Sequence, residues 1–163
     1  MGKGAVPIGR LPLSRSMTTP DQVNGFFILP SGRSSPKGPP NAAIKVTLVS
    51  NSIVPIATDV VAILDTGSSA SAIDEDFAID KNLDFVREVE GSSGLGFSRK
   101  VKIYKCGIFV KELKQLIYAD CGALPFKKAG KNFLVILGMD FIKNFDLEIK
   151  AYEKGILLRR PTP

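Results

Sequence analysis

The sequence predicts a mainly β domain, a small closed barrel or sandwich with one short helix near its C-terminus. Three observations carry this. Short apolar runs recur at close spacing from about residue 44 onward. Glycine, serine and lysine turn signals such as "SNS", "GSSGLG", "KCG" and "KKAGKN" separate them. Several runs alternate apolar and polar residues with the period of two that marks a half-buried strand.

Taken in order, "IKVTLV" sets Ile44, Val46 and Leu48 on one face, with Lys45 and Thr47 on the other. "DVVAIL" is continuously apolar after its first residue, as expected of a strand buried on both faces. "KVKIYK" alternates Val101 and Ile103 with lysines. "GIFV", "QLIYA" and "FLVIL" are further short strands. "DLEIKAY" and "GILL" form a pair about a turn at "EKG". Helical spacing is confined to "MDFIKNF", with Phe141, Ile142 and Phe145 on one side, and to a short turn at "EDFAID". No internal repeat of useful length is present.

Residues 1–43 differ in kind. They hold seven of the eleven prolines, and five Lys or Arg against one acid, Asp21. They show little periodicity, and are expected to form a basic, flexible or extended arm. Residues 44–163 are expected to form one domain, since a chain of 163 residues suffices for one and is short for two.

Composition excludes several chemistries. The chain has no histidine, so neither a Ser-His-Asp nor a Cys-His catalytic arrangement is available, nor a zinc site using imidazole. Two cysteines, Cys106 and Cys121, cannot make a four-thiolate site or a disulfide framework, and point to a reducing, intracellular setting, with a single bridge between them left open. No phosphate-cradling G-x-x-x-x-G-K-[ST] occurs. No run reaches the about 20 apolar residues of a membrane span, and no secretory signal core is seen. "MGKGAV" departs from a myristoylation signal at Val6. No metal and no cofactor are expected. The net charge of +6 admits weak contact of the arm with nucleic acid. The scattered charges lack aromatic partners, however, and a solvated linker accounts for them.

The chemistry is left to carboxylates, lysines and tyrosines. Among these Asp65 stands out, at the end of the apolar strand in "VAILDTGSSASAI", residues 61–73. Asp-Thr-Gly is ordinary turn chemistry, with Asp capping and Gly supplying positive φ. Yet a buried strand delivers this acid, and the small residues "SSASA" after it let a substrate or a second backbone approach. A second motif, "VILGMDFIKNF", begins at residue 135.

The pair "ILDTGSSASAI" and "VILGMDFIKNF", in this order, resembles the retroviral-type aspartic proteases, or retropepsins. Their closest pattern is that of gypsy-like retroelement polyproteins. The resemblance covers roughly residues 44–158. It implies an acid-protease barrel that works as a homodimer, with one Asp-Thr-Gly from each chain. Asp65 is then the catalytic acid, meeting Asp65 of the partner subunit across a two-fold axis. The Thr66 hydroxyl would link the two loops, and Gly67 would let the backbone reach substrate. Ser68, where viral members mostly have alanine, would hydrogen-bond the carboxylate. Ser69 and Met139 stand where lentiviral members have an acid and an arginine, so that ion pair is absent. Residues 90–100 match the flap hairpin, with Gly94, Leu95, Gly96 and Phe97 at its tip. Ile136, Leu137 and Gly138 would support the catalytic loop, and the C-terminal tail would add strand to the dimer interface. Asp120 in "ADCGA" looks like a degenerate second motif, but matches a strand that precedes the Ile-Leu-Gly motif in this family.

The implied activity is that of an aspartic endopeptidase cutting an extended polypeptide, the polyprotein that contains it, in the cytoplasm or a virus-like particle. Two readings from other classes stay open. One is a catalytically silent dimerisation or peptide-binding module of the same fold. The other is a basic nucleic-acid-binding protein.

Overall fold

A computed structural model describes residues 22–28, 41–92, 98–150 and 155–161. Ten strands and two short helices follow one another: β1 (Gln22–Ile28), β2 (Asn41–Val49), β3 (Pro55–Leu64), β4 (Ala72–Asp74), α1 (Glu75–Asp80), β5 (Asp84–Ser92), β6 (Ser98–Val110), β7 (Gln115–Leu124), β8 (Val135–Leu137), α2 (Met139–Ile142), β9 (Asp146–Lys150) and β10 (Gly155–Arg159). The class is mainly β, as the sequence predicts.

Hydrogen bonding closes part of this sheet into a ring. β2 pairs with β3, β3 with β8, β8 with β4, β4 with β7, β7 with β6, and β6 returns to β2 through Thr47–Phe109 and Leu48–Ile108. Closure leaves no free edge within the ring. β5 extends from β6, while β1, β10 and β9 extend from β2 in that order. Burial follows the sequence pattern. Ile44, Val46 and Leu48 of β2 point inward and Lys45 outward, while β3 is buried from Ala62 to Leu64. Leu137, Phe141, Ile108 and Leu113 are fully enclosed in the same core.

Two expectations need correcting. Residues 22–28 and 41–43, expected in the arm, are strand. In β1, Gln22 to Gly25 pair with β10 and Phe26 to Ile28 with β2, and Val23 is buried. One of the two partners of β1, β10, lies at the opposite end of the chain, so local composition does not disclose that pairing. The rest of the arm lies outside the described residues. "KCG" is not a turn either, because β6 runs straight through it. Gly107 is there because β2 and β7 both close on it. A Cβ would sit 2.3 Å from a Val49 methyl and 3.0 Å from the Tyr118 ring. At "EKG", β9 and β10 pair antiparallel with Lys150 opposite Gly155, and residues 151–154 lie outside the described residues.

One topological feature builds the site. β8 lies between β3 and β4, parallel to the first and antiparallel to the second. The chain leaving β3 at Leu64 must therefore step over the C-terminal end of β8 to enter β4 at Ala72. Residues 65–71 make that step.

Candidate active site

Asp65 is the first residue of the crossing. Its N–H donates to the Leu137 carbonyl at 3.0 Å, which ties the end of β3 to the end of β8. The side chain is half-buried, and Thr66 and Gly67 beside it are exposed. The Gly67 N–H donates to Asp65 Oδ1 at 2.9 Å and orients the carboxyl. A Cβ on Gly67 would lie 3.2 Å from that same oxygen. Gly67 is not among the described residues with positive φ, so close approach to the carboxylate, rather than left-handed backbone, is what glycine provides here.

The other side of the loop rests on the turn into α2. Met139 N–H donates to Ser68 O at 2.8 Å, and Asp140 N–H to Ser69 O at 3.2 Å. These are first-turn donors of α2, which have no partner inside the helix, and the loop carbonyls supply one. Gly138 makes the approach possible. A Cβ there would lie 2.5 Å from the carbonyl carbon and oxygen of Ala70, backbone atoms that cannot swing aside. Leu137 is fully buried beneath the loop and Ile136 half-buried, with Ile136 opposite both Ile63 of β3 and Ala72 of β4.

The structure thus brings Asp65, Thr66, Gly67, Ser68, Ser69, Ile136, Leu137 and Gly138 into one neighbourhood. It differs from expectation at Ser68. That hydroxyl donates to Ala70 O at 2.7 Å and closes the turn, so it is not directed at the Asp65 carboxylate. β5 and β6 form a hairpin paired up to Ser92 opposite Ser98. The expected flap tip, Gly94, Leu95, Gly96 and Phe97, lies outside the described residues. Asp120 accepts from Arg87 at 3.0 Å in a solvent-exposed ion pair. Met139 is 40% exposed beside the loop.

Three residues escaped the sequence reading. Ser71 and Asp140 are hydrogen-bonded to each other at 2.7 Å, joining the end of the loop to α2. Asp74, fully buried, accepts from Phe77 N–H at 3.0 Å and caps α1, and accepts from Lys127 N–H at 2.8 Å with its other oxygen. An acid opening each of two short helices was the available signal.

The cysteines offer no nucleophile. Burial pushes the Cys106 thiol up to about 12. Burial raises Cys121 as well, helped by Cys106 and by the carboxylates of Asp140 and Asp120. Both remain protonated at ordinary pH and unreactive. Among the described residues no cluster of three His, Cys, Asp or Glu could hold a metal ion. Among them, too, no helix is long and apolar enough to cross a membrane.

No family model and no curated protein matches the chain. Solved structures do. The solution structure of simian foamy virus (mac) protease matches at a TM-score of 0.44 and 14% identity, over 62% of this chain and 91% of that one. The crystal structure of a retropepsin-like aspartic protease from Rickettsia conorii matches at 0.47 and 14%, over 87% of this chain and 96% of that one. Both scores lie below 0.5, and the loop geometry, not the likeness, bears on function.

Proposed function

We propose that the chain is an aspartic endopeptidase of retropepsin type, active as a homodimer. One observation carries the reading. A half-exposed carboxylate, oriented by the next-but-one N–H, sits on a loop anchored to β8 and α2. The composition supports it, since the chain has no histidine and its thiols stay protonated. Carboxylates are then the fitting acid and base.

A single carboxylate cannot be base and acid at once, so a second copy supplies Asp65 of the partner subunit. Two carboxyls that close share one proton and titrate as a pair. The ionised member takes a proton from a bound water, and the water oxygen attacks the peptide carbonyl carbon. The protonated member gives its proton to the developing oxyanion. Collapse of the tetrahedral adduct breaks the C–N bond: the leaving nitrogen takes the proton that the first carboxylate drew from water, and the second carboxylate recovers a proton from a hydroxyl of the adduct, which restores the pair. Thr66 links the two loops in this reading, and the β5–β6 hairpin covers the substrate. The substrate is an extended polypeptide, held by main-chain hydrogen bonds with side chains in alternating pockets. We assign as its natural form a polyprotein of retroelement type that includes this chain, processed in the cytoplasm or a virus-like particle.

The test is cleavage by purified protein at pH 4 to 7, wild type against Asp65→Asn, with a mixed peptide library read by mass spectrometry. Cuts by the wild type alone support the reading. A wild type shown to be dimeric that cuts nothing overturns it and leaves a peptide-binding module.

A further inference from the structure

The three backbone bonds that tie the loop to β8 and α2 fall at Asp65, Ser68 and Ser69: Asp65 N–H to Leu137 O, Met139 N–H to Ser68 O and Asp140 N–H to Ser69 O. The far end of the loop is held differently. Ser71 is 1% exposed. Its Oγ accepts the Gly138 N–H at 3.1 Å and donates its own proton to Asp140 Oδ1 at 2.7 Å. That oxygen also accepts the Phe141 N–H at 2.9 Å, so it is fixed from both sides. The Ser71 carbonyl accepts from Gly122 N–H of β7 at 3.0 Å. Serine acts here as acceptor on one side and donor on the other, which leaves its hydroxyl a single orientation. A buried polar chain satisfied at every link is stiff, and one missing link leaves a buried group unpaired.

We infer that Asp140, acting through Ser71, is a positioning residue for the Asp65 loop. The inference rests on the protease reading for its catalytic consequence, but the clasp itself does not. Asp140 touches neither Asp65 nor any reacting atom. It holds the end of the crossing against Gly138, where the Ala70 backbone packs so closely that a Cβ on Gly138 would lie 2.5 Å from it. With the Ser69 and Met139 side chains unable to form an ion pair, the clasp is, among the described residues, the side-chain bond that joins loop to α2. The two copies must each present Asp65 within hydrogen-bonding reach of the other, so an error in loop position counts twice.

The test uses the full chain as wild type, Asp140→Ala, Asp140→Asn and Ser71→Ala. It measures kcat and KM on a peptide that the wild type cuts, the urea midpoint, and amide hydrogen exchange at Gly67 and Gly138. Asp140→Ala and Ser71→Ala are expected to lower kcat about 10- to 100-fold, the range for a catalytic group displaced by an ångström. KM should change far less. Asp140→Asn keeps the accepting Oδ1 and should restore most of the lost kcat. Exchange at Gly67 and Gly138 should quicken in Asp140→Ala and return towards wild type in Asp140→Asn.

Wild-type kcat in Asp140→Ala, or Asp140→Asn as impaired as Asp140→Ala, overturns the inference. If Asp140→Ala does not fold, Ser71→Ala and Asp140→Asn decide by the same criteria. If a wild type shown to be dimeric cuts nothing, the protease reading falls, and exchange alone decides the clasp: unchanged exchange in every variant overturns it.

Discussion

Asp65 follows the end of β3 and Asp74 ends β4, and both strands border β8. Their environments differ. Asp74 is fully buried, with one oxygen on Phe77 N–H and the other on Lys127 N–H. Asp65 is half-exposed, and among the described residues only the Gly67 N–H hydrogen-bonds its carboxyl. A buried carboxylate with both oxygens committed to backbone donors joins elements and has nothing left for a substrate. A carboxylate held by one oxygen, on a loop whose backbone is fixed, keeps the other free for chemistry. Rigidity of the support and incompleteness of the acid's own bonding together mark a candidate catalytic group.

Exchanging the side chains should separate the two roles. Asp65→Asn is expected to lower kcat at least about 100-fold, the lower range for loss of general acid–base catalysis, while the urea midpoint barely moves. Asp74→Ala should do the reverse. It strands one buried backbone donor, Phe77 N–H, and one part-buried, Lys127 N–H, and should cost about 2–4 kcal/mol in urea unfolding, with residual activity tracking the folded fraction. Gly138→Ala lies between them. Its methyl group must displace the Ala70 backbone, at about 1–3 kcal/mol, and kcat should fall further than the folded fraction explains.

Cys106 extends the comparison to a buried acid kept neutral. Its thiol is raised from 9.0 to about 12 in the folded state, so the fold favours the protonated form. The stability this provides is complete below pH 9 and is lost as pH rises through about 12. The urea midpoint should fall from pH 8 to pH 10.5, and less steeply in Cys106→Ala. The smallest effect is expected at Asp120, whose partner is an exposed arginine. Asp120→Asn should change stability by less than about 1 kcal/mol and leave peptide cleavage intact.

What could be read from the sequence was what local residues decide. Alternation in "IKVTLV" placed β2, and the run into Asp65 placed β3 and its loop. The need for glycine at position 138 was legible as close chain passage, and the partner that requires it, Ala70, became visible only when β3, β8 and β4 were laid side by side. What was not legible depends on distant partners. β1 looks like linker because β10 is at the other end of the chain, and Gly107 looks like a turn because Val49 and Tyr118 are remote in sequence. Asp74 owes half of its bonding to Lys127. Ser68 shows the same limit on a small scale. Its residue type admits a bond to Asp65, and the fold of the loop sends its hydroxyl to Ala70 instead.

The most direct test of the central claim, that two copies of Asp65 form one catalytic pair, is a mixing titration. Wild type is held at a fixed concentration at which it is dimeric, and inactive Asp65→Asn is added in increasing excess and allowed to exchange subunits. If each active site needs an Asp65 from both chains, peptide cleavage should fall steadily towards zero as mixed dimers replace wild-type dimers. Cleavage that stays constant while subunit exchange is shown to occur would mean that one chain carries a complete site, and would contradict the account.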